Sequence, residues 1–130
     1  MSCGSRTFWL LLLTGSVIPR HSFAADQSLL EAARRAEGLI EQHLSTGRRG
    51  SVGAIEWRRA SRAFRSMAEL EPNRARWRGR AAYCWGHALI EERRFEDSTL
   101  LFEECSRLDP SWAPCRLGIG VARTQLRKFP

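Results

Sequence analysis

Three histidines (His21, His43 and His87) and four cysteines (Cys3, Cys84, Cys105 and Cys115) are the side chains of this 130-residue sequence best equipped for acid–base, nucleophilic or metal chemistry. Their spacing supports none of these. The histidines are scattered, and no Ser-His-Asp order, His-x-Glu-x-x-His motif or glycine-rich phosphate loop is present. The cysteines form no C-x-x-C or zinc-ligand spacing. The reading is a chain with no catalytic residues, no metal and no cofactor. What remains is recognition chemistry. Tyr83, His87 and Glu91 are spaced i, i+4 and i+8, with Ile90 alongside, so one helix face would present a phenol, an imidazole and a carboxylate beside apolar surface. The alternative is a solvated helix face. Among the cysteines, Cys105 and Cys115 are closest in sequence, and in an oxidising compartment one pair could bridge adjacent helices and leave a third thiol free. Otherwise Cys105 serves as a small buried hydrophobe.

Charge offers a second kind of recognition. The formal net charge is +7, and 20 arginines stand against one lysine, Lys128. Arg58, Arg62 and Arg65 align at i, i+4 and i+7, and Arg74, Arg76, Arg78 and Arg80 extend the theme. Such a stripe could neutralise phosphates, so nucleic-acid binding is the alternative function. Arginine is spread over the whole chain, however, and a solvated face is the plainer fate of charge at this spacing.

The elements that must carry these residues are helices. In Gly79 to Pro110, Ala82, Trp85, Gly86, Ala88 and Leu89 recur on one face, with Gly86 admitting a close neighbour. After a turn at Glu92 to Arg94, a second helix from about Phe95 to Leu108 sets Phe95, Ser98, Leu101, Phe102 and Cys105 toward the first, with Ser98 opposite Gly86. Pro110 ends it. The pattern recurs. Ile119, Gly120, Ala122 and Phe129 repeat Trp85, Gly86, Ala88 and Phe95 at an offset of 34, and Ala60, Phe64, Met67 and Pro72 precede Ser98, Phe102, Cys105 and Pro110 by 38. The four extra residues of the longer offset are placed among Asn73 to Arg78.

This pattern resembles the tetratricopeptide repeat, a helix-turn-helix unit of about 34 residues, over roughly residues 28 to 130. Ala82, Trp85 and Leu89 depart from the family's usual residues. The resemblance implies an all-α fold in which antiparallel helix hairpins stack as a short right-handed α-solenoid, with units at about 28–72, 79–112 and an incomplete 113–130. It implies a protein-protein interaction scaffold that takes a peptide or helix of a partner in a concave groove lined by first helices. Tyr83, His87, Ile90 and Glu91 fall on that groove. The family's lysine and asparagine grip on terminal carboxylates has no counterpart here. Because the stack ends in an uncapped helix, pairing into a structural homo-oligomer is a third reading.

Ahead of the repeats, Arg6, the eleven-residue apolar run Phe8 to Ile18 and the small-x-small site Ser22-Phe23-Ala24 read as a secretory signal peptide over 1–24, leaving 25–130 as an exported, periplasmic or secreted repeat domain. Eleven residues are too few to span a bilayer, which takes about 20. A first helix is expected from Asp26, with an apolar stripe of Leu29, Leu30, Ala33, Leu39, Ile40 and Leu44. A mobile glycine-rich loop with Arg48-Arg49 follows over Ser45 to Gly53. Ala54 to Leu70 forms the next helix, with Ile55, Ala60, Phe64 and Met67 facing inward. Trp57, Trp77 and Trp112 are either groove contacts or helix-end packing, and packing is the better account of so much buried area.

Overall fold

The computed structural model describes residues 23–47 and 52–130. The signal segment, apart from Phe23 and Ala24, and Arg48-Arg49 lie outside the described residues. Five helices follow one another: α1 (Phe23–Thr46), α2 (Ala54–Leu70), α3 (Ala75–Glu91), α4 (Phe95–Leu108) and α5 (Ala113–Lys128). There is no strand among the described residues, and none of these helices is long and apolar enough to cross a membrane. Helix α1 opens at Phe23 rather than at Asp26, so the expected cleavage bond after Ala24 falls in its first turn. Each helix packs on the next in chain order, and α3 also reaches α5.

The apolar stripes explain this order. Ala33, Ala36 and Ile40 of α1, Trp57, Ala60, Phe64 and Met67 of α2, and Phe102 and Cys105 of α4 are buried against α3 or one another. Helix α3 lies in the middle and is buried nearly all round, from Trp77 to Leu89. Ser61 fastens α2 to it through a buried hydrogen bond, Oγ–H to the Ala81 carbonyl at 2.9 Å. Leu29, Leu30 and Leu39 pack at the edge of the core, whereas Leu44 is exposed. Ile55, expected inside, is 76% exposed. It lies nine residues before Phe64, which is half a turn round the helix and so on the opposite face.

Three expectations about the repeat need correcting. Gly86 does face α4 closely, but its neighbour is Phe102 and not Ser98: a Cβ there would stand 2.9 Å from the ring. Ser98 is buried and satisfies its hydroxyl locally on the Phe95 carbonyl. Trp85 is not in the seam. It sits half-buried at the edge, with the guanidinium groups of Arg58 and Arg65 at 5.0 and 5.1 Å from its ring centroid.

The third correction concerns the period. The offset of 34 pairs Gly120 with Gly86, yet Gly120 is exposed and a Cβ there would meet nothing within 4 Å, while one at Gly118 would meet Phe102. The turns show the working offset. Glu71 N–H to Met67, Arg74 N–H to Glu71 and Trp77 N–H to Arg74 are matched at 38 by Asp109 to Cys105, Trp112 to Asp109 and Cys115 to Trp112. Both first helices start at that spacing, at Ala75 and Ala113, so the four residues assigned to an insertion are the first turn of α3. Offsets of 34 and 38 differ by about one helical turn, which leaves the apolar face unchanged and hides the slip from a pattern search.

Candidate functional site

One end of the molecule gathers the C-terminal turns of α1 and α3 and the body of α5 around a cleft of about 490 Å³. Helix α1 brings His43 and Leu44, α3 brings His87, Ile90 and Glu91, and α5 brings Leu117, Val121 and Gln125, with Phe129 just beyond it. These are the first, third and fifth helices in chain order. On α5 the cleft residues are four apart, the spacing that keeps successive side chains on one face. Leu117 is 60% exposed, Phe129 50% and Leu44 38%, so the walls include apolar side chains left in water, beside the polar Glu91, Arg93 and Gln125. Phe129 stacks on Phe95, with centroids 6.1 Å apart, and the Arg93 guanidinium lies 5.0 Å from the Phe129 ring. Arg93 closes α3 in the left-handed conformation, φ 62°, so that Arg94 N–H can reach the Leu89 carbonyl at 2.8 Å.

The floor is aromatic. The His87 ring stacks on Trp57 at 4.7 Å and meets His43, Tyr83 and Phe102 edge-on at 4.7, 4.6 and 5.1 Å. His87 is 7% exposed and Tyr83 1%. Their face is therefore not a wet one, and Tyr83 is a core residue rather than a groove contact. Of the four expected groove residues, His87, Ile90 and Glu91 line the cleft; sequence reasoning misses Leu44, Leu117, Val121 and Phe129 as cleft residues. The available signal is the apolar i, i+4 pair Leu117 and Val121 on the last helix, which in sequence reads equally as an end without partners.

Burial sets the charge state here. Desolvation, and then the neighbouring His43, lower His87 to a pKa of about 3, so it is neutral near pH 7. His43 is lowered and Glu91 raised, each by burial. Burial also raises Tyr83 and, with Glu37 adding to the effect, Cys84. His87 Nε2 and His43 Nδ1 are buried with no hydrogen-bond partner.

No family model, curated protein or solved structure matches the chain.

His87 carries a pH signature. Its folded pKa lies below the unfolded value, so the unfolded chain binds the extra proton as pH falls below about 6.5, and stability is lost progressively down to about 3. Stability at pH 5 is expected to be about 2 kcal/mol below that at pH 7 from this histidine. Urea midpoints at the two pH values check it, and His87→Phe should flatten the difference.

The arginine run is largely engaged elsewhere. Arg80, 9% exposed, places Nη1 2.7 Å from Asp109 Oδ2 and lies 3.6 Å over the Trp112 ring. Its Nε is 3.4 Å from Glu37 Oε1, close enough for an ion pair although the direction makes no hydrogen bond. One cation thus ties α1, α3 and the α4–α5 turn. Arg76 pairs with Glu37 at 3.0 Å, Arg74 with Glu71 at 3.6 Å, and Arg58 with Glu92 at 2.5 Å. Trp77 donates to Glu71 and packs beside Phe64, so Trp57, Trp77 and Trp112 are all packing residues. Arg80→Leu should cost about 2 kcal/mol, the buried-pair value reduced because both carboxylates retain some solvent. That is a fall of about 1 M in the urea midpoint for a slope near 2 kcal/mol per M.

Proposed function

We propose that the chain is a non-catalytic protein-interaction module that captures a short segment of a partner in the cleft formed by α1, α3 and α5. The observation that carries this reading is the exposure of Leu44, Leu117 and Phe129 around a single concavity supplied by α1, α3 and α5. A concavity that sets exposed apolar side chains beside polar ones, here His43, Glu91, Arg93 and Gln125, is a usual setting for peptide recognition. The likeness to tetratricopeptide repeats supports the same use, with the hairpins stacked as a right-handed solenoid. The pairing of Arg58, Arg74, Arg76 and Arg80 with carboxylates supports it against nucleic-acid binding. On the N-terminal signal reading, the module works in the periplasm or outside the cell.

The test is selection of peptides from a random display library on the wild-type domain, with counter-selection on Leu117→Glu. Leu117 is exposed, so the variant should fold and lose the selected peptides by at least tenfold. Peptides that bind both proteins equally would refute the cleft as the site.

A further inference from the structure

The cleft has one feature that apolar capture alone does not use. His87 Nε2 is buried at its floor without a hydrogen-bond partner, in a residue more than nine-tenths buried. An apolar occupant such as leucine or phenylalanine would leave that nitrogen unmatched. A neutral imidazole nitrogen either donates or accepts according to tautomer, and a phenol hydroxyl does both, so it suits either state. A phenol also brings an apolar ring, which the cleft can wall with Leu117, Phe129 and Phe95. The cleft volume of about 490 Å³ lies within the range of roughly 300–1,000 Å³ typical of sites for small ligands. Nε2 is itself covered, so a ligand reaches it only when one of the rings packed on His87, such as the half-buried His43, moves aside.

We propose that this cleft is specific for a tyrosine side chain of the partner segment, its ring held between α3 and α5 and its hydroxyl hydrogen-bonded to the His87 imidazole. The inference rests on the peptide-capture reading above and names the anchor. A second copy of the chain is a poor occupant, because its one tyrosine, Tyr83, is itself 1% exposed.

The side-chain analogues p-cresol and toluene, titrated separately into isotope-labelled protein and followed by NMR, provide the probes. The expected result is that p-cresol shifts the signals of His43, His87 and Leu117 and binds about fivefold to tenfold more tightly than toluene, the difference of one hydrogen bond. His87→Phe should make the two ligands equal. Should that variant fail to fold, Leu117→Glu remains as the control and should weaken both ligands together. Equal binding of p-cresol and toluene at the cleft of the wild type would overturn the tyrosine proposal and leave peptide capture standing. Shifts only away from the cleft would overturn both. A concentration-dependent dimer that Leu117→Glu dissociates would overturn the proposal in favour of a second copy.

Discussion

Replacing Gly118 by valine is expected to destabilise the fold by about 3 kcal/mol or more, and Phe102→Ala by about 3–5 kcal/mol. Phe102 is fully buried in α4 and is clamped by two glycines, Gly86 of α3 and Gly118 of α5. A Cβ at Gly118 would come within 2.3 Å of the ring, and one at Gly86 within 2.9 Å. The ring cannot yield sideways either, because Tyr83 and His87 meet it edge-on at 5.7 and 5.1 Å. Two terms compete when such a glycine becomes alanine. Helix propensity favours alanine by about 1 kcal/mol, and overpacking opposes it by about 1–3 kcal/mol. The trapped ring makes overpacking win at Gly118. At Gly38 and Gly120 nothing lies within 4 Å, so only propensity acts and alanine should stabilise by up to about 1 kcal/mol. Urea melts of Gly118→Ala, Gly118→Val, Gly38→Ala and Gly120→Ala decide the matter by sign. Stabilisation by Gly118→Ala would mean that Phe102 is not enclosed by the two glycines.

The second large effect concerns the only disulfide among the described residues. Cys105 of α4 and Cys115 of α5 are bonded and fully buried, ten residues apart in sequence. Closing a loop of that length removes chain entropy from the unfolded state worth about 2.8 kcal/mol on the loop-closure model. Reduction, or Cys105→Ala with Cys115→Ala, should therefore lower stability by about 3 kcal/mol. The loss is not spread evenly. Helix α5 packs chiefly on α4 and less on α3, and it holds Leu117, Val121 and Gln125 of the cleft. Amide exchange should rise first in α5 after reduction, and any peptide captured as proposed above should be released with it. Protection that falls equally in α1 and α5 would contradict this. Cys84, buried and with its thiol pushed above the ordinary range, should resist alkylation until the chain unfolds. Folded protein without reductant is thus expected to show no reactive thiol among the described residues, and unfolded protein one.

Several features of this fold are legible in the one-dimensional pattern because they depend on local periodicity. Ala60, Phe64 and Met67, and Phe95, Ser98, Phe102 and Cys105, are buried as their spacing requires. Proline and polar turns place the breaks after Leu70 and Leu108. The pairing of Cys105 with Cys115 is one of several open to the cysteines, and the α4–α5 turn selects it by bringing the helix ends together. The shared face of His87, Ile90 and Glu91 is legible from their spacing, and it is the face that lines the cleft.

The remaining features require the packing of one helix against another. An α-helix looks the same to a pattern search when shifted by four residues, so only the matched turn hydrogen bonds show that α5 repeats α3 at 38 and that Gly118, not Gly120, receives Phe102. Likewise, spacing cannot distinguish an arginine in solvent from one held between carboxylates, because Glu37, Arg80 and Asp109 come from three different segments. Tyr83 and His87 share a helix face, yet packing from the neighbouring helices covers the first and leaves the second as the floor of a cleft. Sequence by itself determined the helices and most of their inward faces, since each depends on residues a turn or two apart. Tertiary structure alone decided the register of the last helix, the partners of the arginines and the existence of the cleft, since each depends on side chains that distant helices bring together.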